Sequence, residues 1–182
     1  MTTWIFAMAI GGTAALALAM TARVVGATRA EERVHVCNRF EFVVGAPPGV
    51  VTPLFGAHRE RAWSPGWDPQ FVYPQPAEDR PGEVFTVAHG GHTSTWINTA
   101  FDLEAGHIAY AYVVPEAMAV SIDIRTSADG AARTRVVVTY ERTALSTETN
   151  EHVRRQGESD AASGAHWQQA IEECLKREQR PR

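Results

Sequence analysis

Between Val34 and Leu145 apolar residues recur at every second position in one run after another, and the turns joining the runs are short. Val34, Val36, Phe40, Phe42 and Val44 share one face of the first run, opposite His35, Arg39 and Glu41. That is the alternation of a strand with one buried side. Phe71 to Tyr73 and Val84 to Val87 follow as short strands. Ile97, Thr99, Phe101 and Leu103 then alternate with Trp96, Asn98, Ala100 and Asp102. Further runs are Ile108, Tyr110, Tyr112, Val114, then Val120, Ile122, Ile124, then Val136, Val138, Tyr140. Asp129-Gly130 is a hairpin signal between the last two. Parallel neighbours need long crossovers, so these short links predict antiparallel pairing.

Two helical stretches frame the strands. Pro47-Pro48 opens a short helix over Val50 to Phe55, because proline suits a first helical turn. After Ser146 the period lengthens, with Asn150 read as an N-cap. From Asp160 to Glu178, Gly164, Trp167, Ile171, Cys174 and Leu175 fall on one face. Gly157 marks a kink or the real helix start, and Gly164 leaves space between helix and sheet. The predicted fold is an α+β domain, a curved antiparallel sheet of about seven strands wrapped on a long C-terminal helix.

The sequence divides into an apolar, membrane-directed segment and linker over residues 1–29 and a folded domain over residues 30–182. Residues 4–22 carry no charge, and the length is near the roughly 20 residues of a spanning helix. Basic residues first appear at Arg23, Arg29 and Arg33, downstream of the run. Three readings stay open: an anchor with a cytoplasmic domain, a cleaved export signal, and a start at Met20 with the preceding residues outside the protein. Membrane association through residues 4–22 is the expectation, with the domain cytoplasmic or exported. A net charge of -4 and scattered basic residues argue against a nucleic-acid surface. Cys37 and Cys174 are too few for a disulfide framework and are read as free, buried thiols.

Local patterns add a resemblance. Phe40-x-Phe42-x-x-x-Ala46-Pro47-Pro48, Trp63-Ser64-Pro65-Gly66-Trp67, Gly82-Glu83-Val84-Phe85-Thr86 and Thr134-x-Val136-x-Val138-x-Tyr140-x-x-Thr143-Ala144-Leu145-Ser146 stand in the predicted element order. From about Arg33 to Lys176 the sequence resembles the START/Bet v1-like (SRPBCC, polyketide cyclase-like) superfamily of helix-grip folds. The resemblance implies an apolar cavity between the curved sheet and the C-terminal helix, entered near the loops by the short helix. It brings no shared catalytic set and no cofactor.

The candidate ligand-binding residues are the inward aromatic and polar side chains. Tyr110, Tyr112 and Tyr140 are core aromatics or orient a ligand oxygen. Asn38 and Asn98 lie among apolar neighbours and need hydrogen-bond partners, from backbone or from ligand. Trp63 and Trp67 form an aromatic lip or lock their loop by packing. Trp96, Gly164 and Trp167 complete the set. Of seven histidines only His89 and His92 are close, on a glycine-rich turn without a third ligand, so a hairpin loop is read there and no metal. Glu141, Arg142, Asp123 and Arg125 read as charges on a solvated sheet face. No triad order, P-loop, dinucleotide-binding or zinc-protease motif occurs. The leading reading is binding or transport of a small apolar ligand, lipid-like or aromatic. A cyclase- or aromatase-type enzyme and a membrane-held interaction module are the alternatives; no protein partner is named.

Overall fold

A computed structural model describes residues 32–89 and 91–180. The apolar segment of residues 4–22 and the helix expected there lie outside the described residues. Seven strands form one antiparallel sheet in the order β1-β7-β6-β5-β4-β3-β2. They are β1 (His35–Val44), β2 (Gln70–Tyr73), β3 (Val84–His89), β4 (His92–Asp102), β5 (His107–Val114), β6 (Met118–Ala128) and β7 (Thr134–Ala144). From β3 onward successive strands are joined by short turns, as the alternating runs predict, whereas residues 74–83 separate β2 from β3. Strand β1 instead pairs with β7 from Val44↔Thr134 to His35↔Thr143. The chain from β1 to β2 therefore passes from one sheet edge to the other, carrying α1 (Pro48–Val51), a 3-10 turn (Thr52–Phe55) and α2 (Ala57–Glu60).

The predicted short helix is thus three consecutive turns, broken at Gly56, whose φ of -70° and ψ of 143° are extended. Hydroxyl contacts pin this segment to the sheet: Thr52 Oγ1 lies 2.7 Å from Thr126 Oγ1, and Thr134 Oγ1 donates to the Ala46 carbonyl at 2.7 Å. The sheet register slips between Asn98 and Ala100, and between Phe71 and Tyr73. Such bulges bend and twist a sheet. In β4 the slip also changes the parity: Ser94, Trp96 and Asn98 point inward before it and Ile97 is exposed, whereas Phe101 packs against the core after it.

The C-terminal helix is two pieces, α3 (Asn150–Ala161) and α4 (Gly164–Glu178), interrupted at Ala162 and Ser163. Asn150 is not an N-cap. Its backbone is already helical, and its side chain accepts the Val34 N–H at 2.8 Å and donates to the Glu32 carbonyl at 3.1 Å. It fastens the start of α3 to the chain entering β1. Gly157 lies against β1, where a Cβ would stand 2.7 Å from Asn38 Nδ2 and 3.0 Å from Val36 Cγ2. Gly164 faces Phe40 in the same way at 3.4 Å. Both glycines are therefore places of close helix-to-sheet approach. Both cysteines are free, but only Cys174 is buried; Cys37 is exposed on the outer face of β1, against the expectation of two buried thiols. No helix among the described residues is long and apolar enough to cross a membrane.

Candidate functional site

The inward face of the sheet carries two aromatic groups with different fates. Under α4, Phe40, Phe55, Trp63, Tyr140 and Trp167 fill the interior. Trp167 meets Trp63 at 5.2 Å and Phe40 at 5.4 Å between ring centroids. Trp63 is buried, and its indole N–H donates to the Leu54 carbonyl at 2.7 Å. It is a core residue rather than a lip, and no exposed tryptophan patch of the kind an interaction module needs is built on it.

Under α3 the packing opens. A cavity of about 530 Å³ lies between the Ser64-Pro65-Gly66-Trp67 loop, strands β3 to β6 and α3. Trp67, Trp96, Tyr112, Val87, Val114 and Met118 give it apolar walls, and His92, Ser94, His152 and Gln156 add polar groups. Trp96 stacks flat on Tyr112, with 4.0 Å between centroids and 15° between planes. Trp67 closes edge-on against Trp96 at 5.1 Å. Both indoles are held by hydrogen bonds: Trp67 Nε1 donates to the Ala57 carbonyl at 2.9 Å, and Trp96 Nε1 to Ser94 Oγ at 2.8 Å. Aromatic walls fixed at both ring and N–H lose little freedom when a ligand arrives.

Behind Tyr112 stands a buried charge pair. Arg142 donates through Nε and Nη2 to both carboxylate oxygens of Asp160, the latter at 2.8 Å, and through Nη1 to the Tyr112 hydroxyl at 2.6 Å. Its guanidinium lies over the Tyr140 ring at 4.8 Å. Arg142 is only 4% exposed, so the expectation of a solvated charge is corrected. The parity was visible: Arg142 continues the inward series Val136, Val138, Tyr140. Burial raises the Tyr112 hydroxyl pKa, an effect the neighbouring Arg142 reduces. The hydroxyl accepts from Arg142 and keeps its proton, leaving one O–H available at the cavity wall.

Of the sequence candidates, Trp67, Trp96 and Tyr112 come together on the cavity. The others stand elsewhere. Tyr110 donates to the Phe55 carbonyl at 3.0 Å, Tyr140 supports Arg142, and Trp63, Trp167 and Gly164 belong to the packing under α4. Asn38 abuts Gly157, and Asn98 is fully buried with both amide atoms unpartnered. Sequence reasoning missed His152 and Gln156, whose i, i+4 spacing in a polar helix carried no apolar signal. It also missed Ser94, Val87 and Met118.

Glu60 at the end of α2 is a separate case. The residue is half-buried, yet burial of its carboxyl pushes the pKa up to about 8. Its folded-state proton affinity exceeds that of the unfolded chain, where the glutamate has its ordinary pKa of 4.5. The folded state therefore holds the extra proton between these values, and stability falls as pH rises through that window. Urea midpoints measured from pH 5 to 8 are expected to decline, and Glu60→Gln is expected to flatten the decline. An equal slope in both proteins would contradict this assignment.

Neither a protein-family model nor a curated protein matches the sequence. Solved structures do match in shape. Norcoclaurine synthase from Thalictrum flavum, in complex with dopamine and hydroxybenzaldehyde, superposes with a TM-score of 0.59 at 14% identity, covering 82% of this chain and 91% of that one. The Zhui aromatase/cyclase from a Streptomyces species gives 0.57 at 19% identity, over 80% and 96%. Ara h 8.0201 gives 0.57 at 17%, over 79% and 99%. The domain thus has the START/Bet v1-like helix-grip fold. At these identities the likeness establishes the fold, and function has to come from the site.

Proposed function

We propose that the protein binds a small aromatic or lipid-like molecule bearing a hydrogen-bond acceptor, as a carrier or sensor. The observation that carries this reading is the cavity of about 530 Å³ walled by Trp67, Trp96 and Tyr112. Small-molecule sites are typically roughly 300–1,000 Å³, mostly apolar, with a few placed polar groups. The Tyr112 hydroxyl, held by Arg142, supplies such a group for a carbonyl or phenol oxygen. The fold neighbour complexed with dopamine and hydroxybenzaldehyde supports aromatic compounds as the class. The uncharged run of residues 4–22 supports a location beside a membrane, where apolar ligands concentrate, and fractionation of cells expressing the full chain tests that.

Native mass spectrometry of the full-length protein, purified gently, is expected to show an adduct that denaturation removes. Trp96→Ala should weaken binding of the recovered compound by about 1–3 kcal/mol. Tyr112→Phe should cost about 1 kcal/mol and only for ligands carrying an acceptor. Unchanged affinity in both variants would refute this site. An enzymatic reading, of the cyclase or aromatase type, rests on the same Tyr112–Arg142 pair acting as a proton donor. It requires turnover of the recovered compound that Tyr112→Phe abolishes while binding persists.

A further inference from the structure

A second convergence of polar side chains stands where α2, the loop before β3 and the first residues leading into β3 meet. His58 Nε2 lies 3.2 Å from Glu83 Oε1. Asp79 Oδ1 accepts the His58 backbone N–H at 3.3 Å. One ligating atom from each of His58, Asp79 and Glu83 lies within 4.8 Å of the other two. Gly56 permits this, because a Cβ there would stand 2.5 Å from Asp79 Oδ2 and displace the carboxylate. The imidazole is oriented by Phe71, on which it lies flat at 4.0 Å and 9°.

A helix cap from Asp79 and an ion pair between His58 and Glu83 account for two of these contacts. They do not account for Glu83 itself. That residue has no exposed surface, and its Oε2 has no hydrogen-bond partner. Beside it is Asn98, whose backbone N–H donates to the Glu83 carbonyl at 2.9 Å. The Asn98 side chain is fully buried, with its oxygen and nitrogen both unpartnered. Buried carboxylate and amide atoms are normally satisfied by protein, water or ion. Two carboxylates also face a single imidazole, and the one on Glu83 is fully buried.

We infer that His58, Asp79 and Glu83 bind one divalent transition-metal ion of the zinc and manganese class. Imidazole favours such ions over calcium and magnesium, which prefer oxygen donors throughout. Tetrahedral metal–ligand bonds of about 2.1 Å put ligand atoms about 3.4 Å apart. The His58–Glu83 separation of 3.2 Å already meets that spacing. The remaining approach, at most roughly 1.4 Å for bonds of that length, is within reach of Asp79 rotating about its side-chain bonds. Water completes the shell, and Asn98 stands next to Glu83 as a further polar group.

This site is independent of the aromatic cavity and of the ligand proposed for it. Full-length protein stripped with a chelator and titrated calorimetrically with Zn²⁺ is expected to show a one-ion step of micromolar affinity. His58→Gln is expected to abolish that step or weaken it more than about a hundredfold, beyond the roughly 10–100-fold that loss of a supporting residue alone produces. His166→Gln, which removes an exposed histidine of α4, controls for surface histidine binding and should leave the step intact. Asp79→Asn, which keeps a cap acceptor, replaces His58→Gln as the deciding variant if that protein does not fold. Absence of the step in the unaltered protein overturns the inference, as does undiminished affinity in the deciding variant.

Discussion

Replacing Arg142 with methionine is expected to destabilise the domain by about 3–5 kcal/mol, the cost of leaving a buried charge without its partner. Asp160 is 6% exposed, and the only cation reaching its carboxylate among the described residues is Arg142. Without it the carboxylate is left buried and uncompensated. Urea unfolding of Arg142→Met against the unaltered protein measures the loss. A double variant, Arg142→Met with Asp160→Leu, should recover most of the loss, since a buried pair exchanged for packed apolar groups is often neutral or stabilising. The single and double variants therefore separate two roles. If the double variant is stable but no longer discriminates acceptor-bearing ligands, the pair is retained to hold the Tyr112 hydroxyl at the cavity. A loss below about 1 kcal/mol in Arg142→Met would mean water already reaches the pair.

The same residue shows where the sequence stops being legible. Strands β1, β5, β6 and β7 alternate cleanly, and their inward residues are those the period predicts. Charge type overrode parity at Arg142, because an isolated charge on a strand is far more often solvated than buried. In β4 the bulge near Thr99 shifts the period midway, and a single unbroken alternation could not report it. Helix α3 was harder. It buries Asn150, Val153, Gly157 and Asp160, one apolar side chain among four residues, so hydrophobic periodicity carries almost no signal. Its place on the sheet comes instead from side-chain hydrogen bonds and a missing Cβ. The cavity follows from the same fact. Aromatic residues were readable as inward-facing, but which of them pack together and which are left with space beside them depends on α3. Trp63 and Trp67 sit four residues apart in one loop, yet one is core and the other lines the cavity. The convergence of His58, Asp79 and Glu83 has no spacing signature, because α2 and the loop before β3 meet only in the folded chain.

Gly106→Ala is expected to cost about 2–5 kcal/mol, from left-handed backbone strain and overpacking together. Gly106 turns β4 into β5 with a φ of +65°, and a Cβ there would stand 2.3 Å from the Thr126 carbonyl oxygen. Backbone cannot yield to this contact as a flexible side chain would. The Gly106 carbonyl also accepts the Thr126 N–H at 2.8 Å, and Thr126 Oγ1 lies 2.7 Å from Thr52 Oγ1. A shift at the turn would therefore reach β6 and the 3-10 turn that covers the sheet. Gly130 in the β6–β7 hairpin provides the comparison. It has a φ of +84° and nothing within 4 Å of an added Cβ, so Gly130→Ala carries the backbone strain alone. That variant should lose about 1 kcal/mol. The difference between the two variants in urea unfolding measures the close approach itself. If both lose the same amount, strand β6 moves aside at little cost, and the contact at Gly106 does not fix where the turn lies over the core.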